Sequence, residues 1–208
     1  MEYLVLLAFK AARLRVTGHR LEQFLNLKFH FLTLVVLFVS IIGHQTFAAQ
    51  TGSQDAFFAQ VSSFCGERFT GRASFPEDPG DAWRGKDLVA YIETCNEDEI
   101  RIPFSVGEDR SRTWILRRVT GGLQLKHDHH HADGTPDEVT MYGGTTLSGG
   151  THLAQSFPAD AYTADLIPEA ATNEWFLSFS EDTSELTYYL ERHGQPRFRV
   201  ILRQNIRD

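Results

Sequence analysis

The sequence predicts an all-β fold: an antiparallel up-and-down β-barrel of about ten strands, preceded by one helix. Three observations predict it. From Phe69 onward, apolar residues alternate with polar ones at a period of two, as in a half-buried strand. Turn-forming clusters (PEDPGD, GEDRS, TGG, ADGTPD, EDTS, HGQP) cut this pattern into short runs. No internal repeat or linker divides the roughly 160 residues after position 48, enough for one domain with a sizeable core. A meander of so many strands curls closed because closure removes unpaired edges; a two-sheet sandwich is the alternative.

The first 48 residues stand apart. Five basic and two acidic residues give them a charge of +3, whereas residues 49–208, with 15 basic and 25 acidic residues, sum to −10. An acidic body argues against nucleic acid as a partner, because phosphate binding needs an excess of Lys and Arg. Phe31–Gly43 (FLTLVVLFVSIIG) is a short apolar run preceded by Lys28 and followed by HQTFAA, the pattern of a secretory signal peptide. Thr46 and Ala48 fill the small-residue positions, making Ala49 the first mature residue. The alternative is a membrane anchor, but such a run rises only about 20 Å as a helix against a hydrocarbon core of roughly 30 Å. Residues 1–26 exceed an ordinary n-region, so a translation start near Leu25 or Leu27 is the expectation. The expected organisation is therefore a signal peptide with an upstream extension over 1–48 and a single barrel domain over 49–208. That domain is expected to be exported to the periplasm or secreted, to have no membrane span after cleavage, and to be a monomer. Cys65 and Cys95 both fall in it, an even count in an oxidising compartment, so a disulfide is expected; two buried free thiols are the alternative.

The elements follow in order. Ser53 can cap a helix over Asp55–Phe64, whose Phe57, Phe58, Val61 and Phe64 share one face, and Gly66 ends it. Strands are read at Phe69–Phe75, Leu88–Cys95, Ile100–Val106, Thr113–Val119, Leu123–His130, Val139–Thr145, His152–Phe157, Trp175–Phe179, Leu186–Glu191 and Phe198–Ile206, with PADAYTADLIPEAA as a short helix or capped loop. Placing Cys65 opposite Cys95 centres the first hairpin on Gly80. A four-residue turn Gly107–Arg110 and a three-residue turn Thr120–Gly122 put Thr113, Ile115 and Arg117 on the inner face with Ile100, Ile102, Leu123 and Leu125.

Chemistry concentrates in Lys126–His131 (KHDHHH). Alternation places His127 and His129 on the inner face, opposite Met141 and Val139 if His131 pairs with Asp137. The candidate ligand-binding residues are thus His127, His129, Arg117, Thr113 and Met141, a polar patch on an apolar wall suited to a small molecule carrying an anionic group. Two imidazoles two residues apart on a strand, about 7 Å apart at their backbones, can also converge on a transition metal. His127 and His129 are then the candidate ligands, with His152 or an acidic residue as the third. The blandest reading leaves His127 and His129 hydrogen-bonded in the barrel mouth and His130 and His131 in solvent. A cupin-like His-x-His opening is present, but the expected Glu is absent, with Asp133 at the nearer of its positions. GEDRSRTW (107–114) is either an anion-contacting rim or a self-paired turn, and GGTTLSGG (143–150) either a lid or a connector. No catalytic residue can be named, for no nucleophile elbow, Cys-x-x-Cys, Walker or dinucleotide motif occurs.

Read together, IRIPFSVGEDRSRTW (100–114), LKHDHHHADG (125–134) and TMYGGTT (140–146) resemble a family of small exported bacterial proteins of unassigned activity, from roughly Phe57 on. The Cys65–Gly71 stretch CGERFTG resembles the Gly-x-Trp opening of lipocalins with Phe in place of Trp, which implies a lipocalin-like (calycin) barrel. The expectation is a small-molecule-binding barrel. A metal-dependent enzyme or metal carrier, and a structural or interaction protein of the cell envelope, are the alternatives.

Overall fold

Residues 52–76, 80, 83–147 and 149–205 are described by the computed structural model, so the signal-peptide segment and its boundary lie outside the described residues. Helix α1 (52–62) is followed by β1 (Arg68–Phe75), β2 (Leu88–Tyr91), β3 (Thr94–Cys95), β4 (Glu99–Val106), β5 (Asp109–Val119) and β6 (Gly122–His129). Then come β7 (Tyr142–Thr145), β8 (Ala154–Pro158), helix α2 (Ala161–Leu166), a 3-10 turn (Pro168–Ala170), β9 (Asn173–Phe179), β10 (Glu185–Arg192) and β11 (Gln195–Gln204). The helix starts three residues earlier than its sequence pattern suggests, so Ser53 sits inside its first turn.

All strand pairs are antiparallel, and the order β7-β6-β5-β4-β2-β1-β11-β10-β9-β8 is that of an up-and-down barrel, with short β3 beside β4. The chain's ends meet where β1 pairs with β11, and the seam falls between β7 and β8. A single bridge, Gly144 to Ala159, nearly closes it, with the Asp160 N–H donating to the Gly143 carbonyl at 3.1 Å. GGTTLSGG begins inside a strand: Gly143 and Gly144 belong to β7, and Gly149 and Gly150 lie in the connection to β8. A Cβ on Gly144 would overlap the Pro158 carbonyl, so only glycine lets the two backbones approach.

The core follows the period-two pattern. Ile100, Ile102, Phe104 and Val106 of β4 and Leu123 and Leu125 of β6 point inward and are buried. One end of the barrel is plugged by α1, whose Phe57, Phe58 and Val61 join that core. Gln54 Nε2 donates to Thr146 Oγ1 at 2.8 Å and Arg118 pairs with Asp55, pinning the helix to the β5–β6 end. Just beyond it, Cys65 and Cys95 form the expected disulfide, Cα to Cα 6.1 Å. Their ladder is shifted by one residue, however: Phe69 pairs with Ala90, and Cys95 lies in β3 beside β4. Inward packing decides this register, since Phe69, Leu88 and Ala90 are fully buried.

The same one-residue slip corrects β5. Its hairpins are tighter than expected, with Val106 pairing Asp109 across Gly107-Glu108 and Val119 pairing Gly122 across Thr120-Gly121. A bulge between Phe104 and Val106 leaves the β4–β5 ladder offset by one residue. Gly107 adopts φ +58°, which a two-residue turn of this kind favours. The inner residues of β5 are therefore Arg112, Trp114 and Leu116, not Thr113, Ile115 and Arg117. Among the described residues no helix is long and apolar enough to cross a membrane.

Candidate functional site

The end opposite α1 is open. Here the last residues of β6 and β10, the first of β5, β7, β9 and β11, and the 3-10 turn surround a cavity of about 370 Å³. Its walls are chiefly aromatic: Trp83, Phe104, Trp114, Tyr142, Trp175, Tyr188 and Phe198. These rings support one another. Trp114 lies stacked between Phe104 (4.3 Å) and Tyr188 (4.6 Å), and Tyr142 stacks on the His127 imidazole at 4.9 Å. Such packing fixes ring faces in place before any ligand arrives.

Both predicted histidines reach this cavity. His127 is 4% exposed and partnered at both nitrogens, with Nδ1 3.2 Å from the Tyr142 carbonyl and Nε2 2.9 Å from the Tyr188 hydroxyl. A carbonyl only accepts, so Nδ1 is assigned the proton and the Tyr188 O–H donates to Nε2. Burial holds the His127 pKa at about 3, with His129 and Lys126 adding repulsion, so its ring is neutral at pH 7. Burial raises Tyr142 to about 12 and lifts Tyr188 well above the ordinary phenol range, keeping both hydroxyls protonated. His129 is half-buried, its Nε2 3.0 Å from the Tyr142 hydroxyl, and burial followed by Arg112 lowers its pKa. The cavity floor is thus polar but uncharged.

Charge stands at the rim, in Arg112 and Arg192. Arg112 pairs with Asp109 at 2.6 Å, as the self-paired reading of GEDRSRTW has it. Burial alone would raise the Asp109 carboxyl; hydrogen bonds from Ser111 and the Arg112 charge outweigh it and hold it at about 2. Arg192 Nε donates to the buried Asn173 Oδ1 at 2.8 Å.

The other sequence candidates lie elsewhere. Thr113 and Arg117 are on the outer face of β5, and Arg117 donates to Glu99 at 2.6 Å. Met141, with φ +58°, is displaced by Tyr142, which pairs with His127 in the ladder. His130 sits 3.4 Å from Asp128 on the outer face, and His131 is exposed. Among the described residues the two histidines have no third side chain placed to share a metal. His152 lies exposed before β8 at the plugged end, Asp133 is turned onto Thr135, and no group of three or more His, Cys, Asp or Glu gathers among the described residues. His127 also spends both its nitrogens within the protein.

Protein-family models, curated proteins and solved structures offer no match to this chain.

The residues that sequence reading missed are Tyr142, Trp175, Tyr188 and Arg192, whereas Arg112 lies in the GEDRSRTW segment already read as a rim or a self-paired turn. Aromatic residues on alternating strands read as core, and only the cross-strand register shows them facing a void. The one available signal was Tyr142 itself, which the correct register places opposite His127.

Proposed function

We propose that this protein is an exported small-molecule-binding barrel, taking a compact organic ligand into its open end. The observation that carries the reading is the 370 Å³ aromatic cavity reaching His127 and His129. It falls at the small end of ligand pockets, about 300–1,000 Å³, which combine mostly apolar walls with a few placed polar groups. Here the polar groups are the two neutral imidazoles and the Tyr142 hydroxyl, whose geometry is set by protein partners before binding. Export is supported by the apolar run before residue 44 and by the Cys65–Cys95 disulfide, a bond that persists in oxidising compartments.

The test is titration with N-phenyl-1-naphthylamine, a neutral apolar fluorophore. Saturable one-to-one enhancement is expected, and it should be lost in Val139→Trp, which fills the mouth from a position that is 45% exposed and need not disturb the core. Absence of saturable binding, or equal binding by the variant, would overturn the reading.

A further inference from the structure

We infer that the ligand is a planar aromatic monocarboxylate, its ring held in the cavity and its carboxylate received by Arg192 at the rim. The inference rests on the binding reading above and adds the chemical class.

The ring follows from the walls. Flat, mutually stacked faces (Phe104–Trp114–Tyr188 and Tyr142–His127) line the space, while Val139, Ile167 and Leu190 supply the larger aliphatic surfaces. Rigid faces of this kind complement another flat ring through offset or edge contacts better than they complement a flexible chain. The volume suits one to three fused rings and is small for a long acyl chain.

The carboxylate follows from the charges. Arg112 is already neutralised by Asp109, and Asp137 near the mouth accepts from the Val139 N–H at 3.0 Å. Arg192 differs. On β10 it lies between Asn173 of β9 and Gln195 of β11. Its Nε is anchored on Asn173, and among the described residues no carboxylate pairs with its terminal amino groups. A guanidinium held at Nε and open at its Nη atoms presents parallel N–H donors that match a carboxylate. With Arg112 paired, one positive charge is left at the rim; it matches a monoanion and not a phosphate, which carries up to two charges. The neutral floor leaves charge recognition to the rim, so the ligand enters ring first.

The experiment is calorimetric titration of the chain with 2-naphthoate, its neutral amide 2-naphthamide and 2-naphthyl phosphate. Naphthoate is expected to bind at least about tenfold tighter than the amide, the worth of one charge-assisted contact. In Arg192→Gln that preference should collapse while naphthamide binds as before, and Arg192→Lys should keep part of it. Circular dichroism confirms that both variants are folded. Equal binding of acid and amide, an unchanged preference in Arg192→Gln, or tighter binding of the phosphate would each overturn the carboxylate assignment while leaving cavity binding intact. Failure of all three probes to bind the wild-type chain would overturn this assignment, whereas the neutral fluorophore decides cavity binding separately.

Discussion

Lowering the pH from about 7.5 to about 5 protonates His127 in the unfolded chain but not in the folded one. An exposed imidazole titrates near about 6.5, whereas burial holds His127 in the fold at about 3. Between these values the unfolded chain binds a proton that the native state refuses, so stability falls as the pH falls. Each pH unit inside the window is worth about 1.4 kcal/mol. At pH 5 the loss from this one residue is about 2 kcal/mol, rising to about 4 kcal/mol near pH 3. For a domain of this size that is a drop of about 4–8 °C in Tm by pH 5. His129, also lowered by burial, acts in the same direction. The carboxylates do not interfere, because Asp109 and Asp182, held at about 2, surrender their contribution only as the pH falls below the ordinary carboxylate value of 3.8. The assay is thermal unfolding followed by near-ultraviolet circular dichroism across this range. The comparison is His127→Phe combined with Tyr188→Phe, since the single change would strand the buried Tyr188 hydroxyl at a cost of about 1–3 kcal/mol. The wild-type protein should lose Tm steeply between pH 6.5 and 5, and the double variant should lose less by the stated amount. Parallel profiles for the two proteins would refute the argument that His127 is buried neutral.

Two further predictions concern the frame. Replacing both Cys65 and Cys95 by Ala frees a loop of sequence separation 30, and the chain-entropy estimate for such a loop is about 3.5 kcal/mol. Urea unfolding should show a lower midpoint at similar slope, and an unchanged midpoint would refute that contribution. Gly144→Val places a side chain into the Pro158 carbonyl across the seam. It should cost about 3 kcal/mol, the upper range for overpacking, and accelerate amide exchange in β7. Gly52→Ala, which meets nothing nearby, serves as the neutral control.

The strands were legible because alternation survives wherever one face is buried and the other wet. β4 shows it cleanly, burying every second residue from Ile100 to Val106. β5 defeats it. Trp114, Ile115 and Leu116 are consecutive and all buried, so no polar face breaks the tie, and the register rests on hairpin lengths and on a bulge between Phe104 and Val106. Shortening the Gly107–Arg110 turn from four residues to two leaves the faces as they were. That bulge, with the two-residue turn Thr120-Gly121, is what turns Trp114 inside and Thr113 and Arg117 outside. His127 and His129 escaped the error because Leu123 and Leu125 mark their face independently. The cavity itself was not legible. A void is a property of what fails to fill the space between strands, and it depends on elements distant in sequence.

Those elements are the helices. A barrel of about eight strands is just wide enough for side chains to fill, so ten leave room to spare. At one end α1 supplies Phe57, Phe58 and Val61 to fill it. The other helix is not free to do the same. Thr163 of α2 donates to the Gly143 carbonyl at 2.6 Å and accepts from the Gly143 N–H at 2.7 Å, while Lys126 pairs with its capping Asp160, which holds α2 against the outside of the seam. Only the 3-10 turn after it reaches the mouth, through Ala170 and the preceding Ile167. The cavity is thus a consequence of using α2 to clamp β7 and β8. A core evolved for stability alone would put aliphatic side chains at 127 and 188, where no desolvation cost arises. This chain instead buries an imidazole and a phenol beside the cavity, with the Tyr188 hydroxyl donating to His127 Nε2 and the Tyr142 carbonyl accepting from Nδ1.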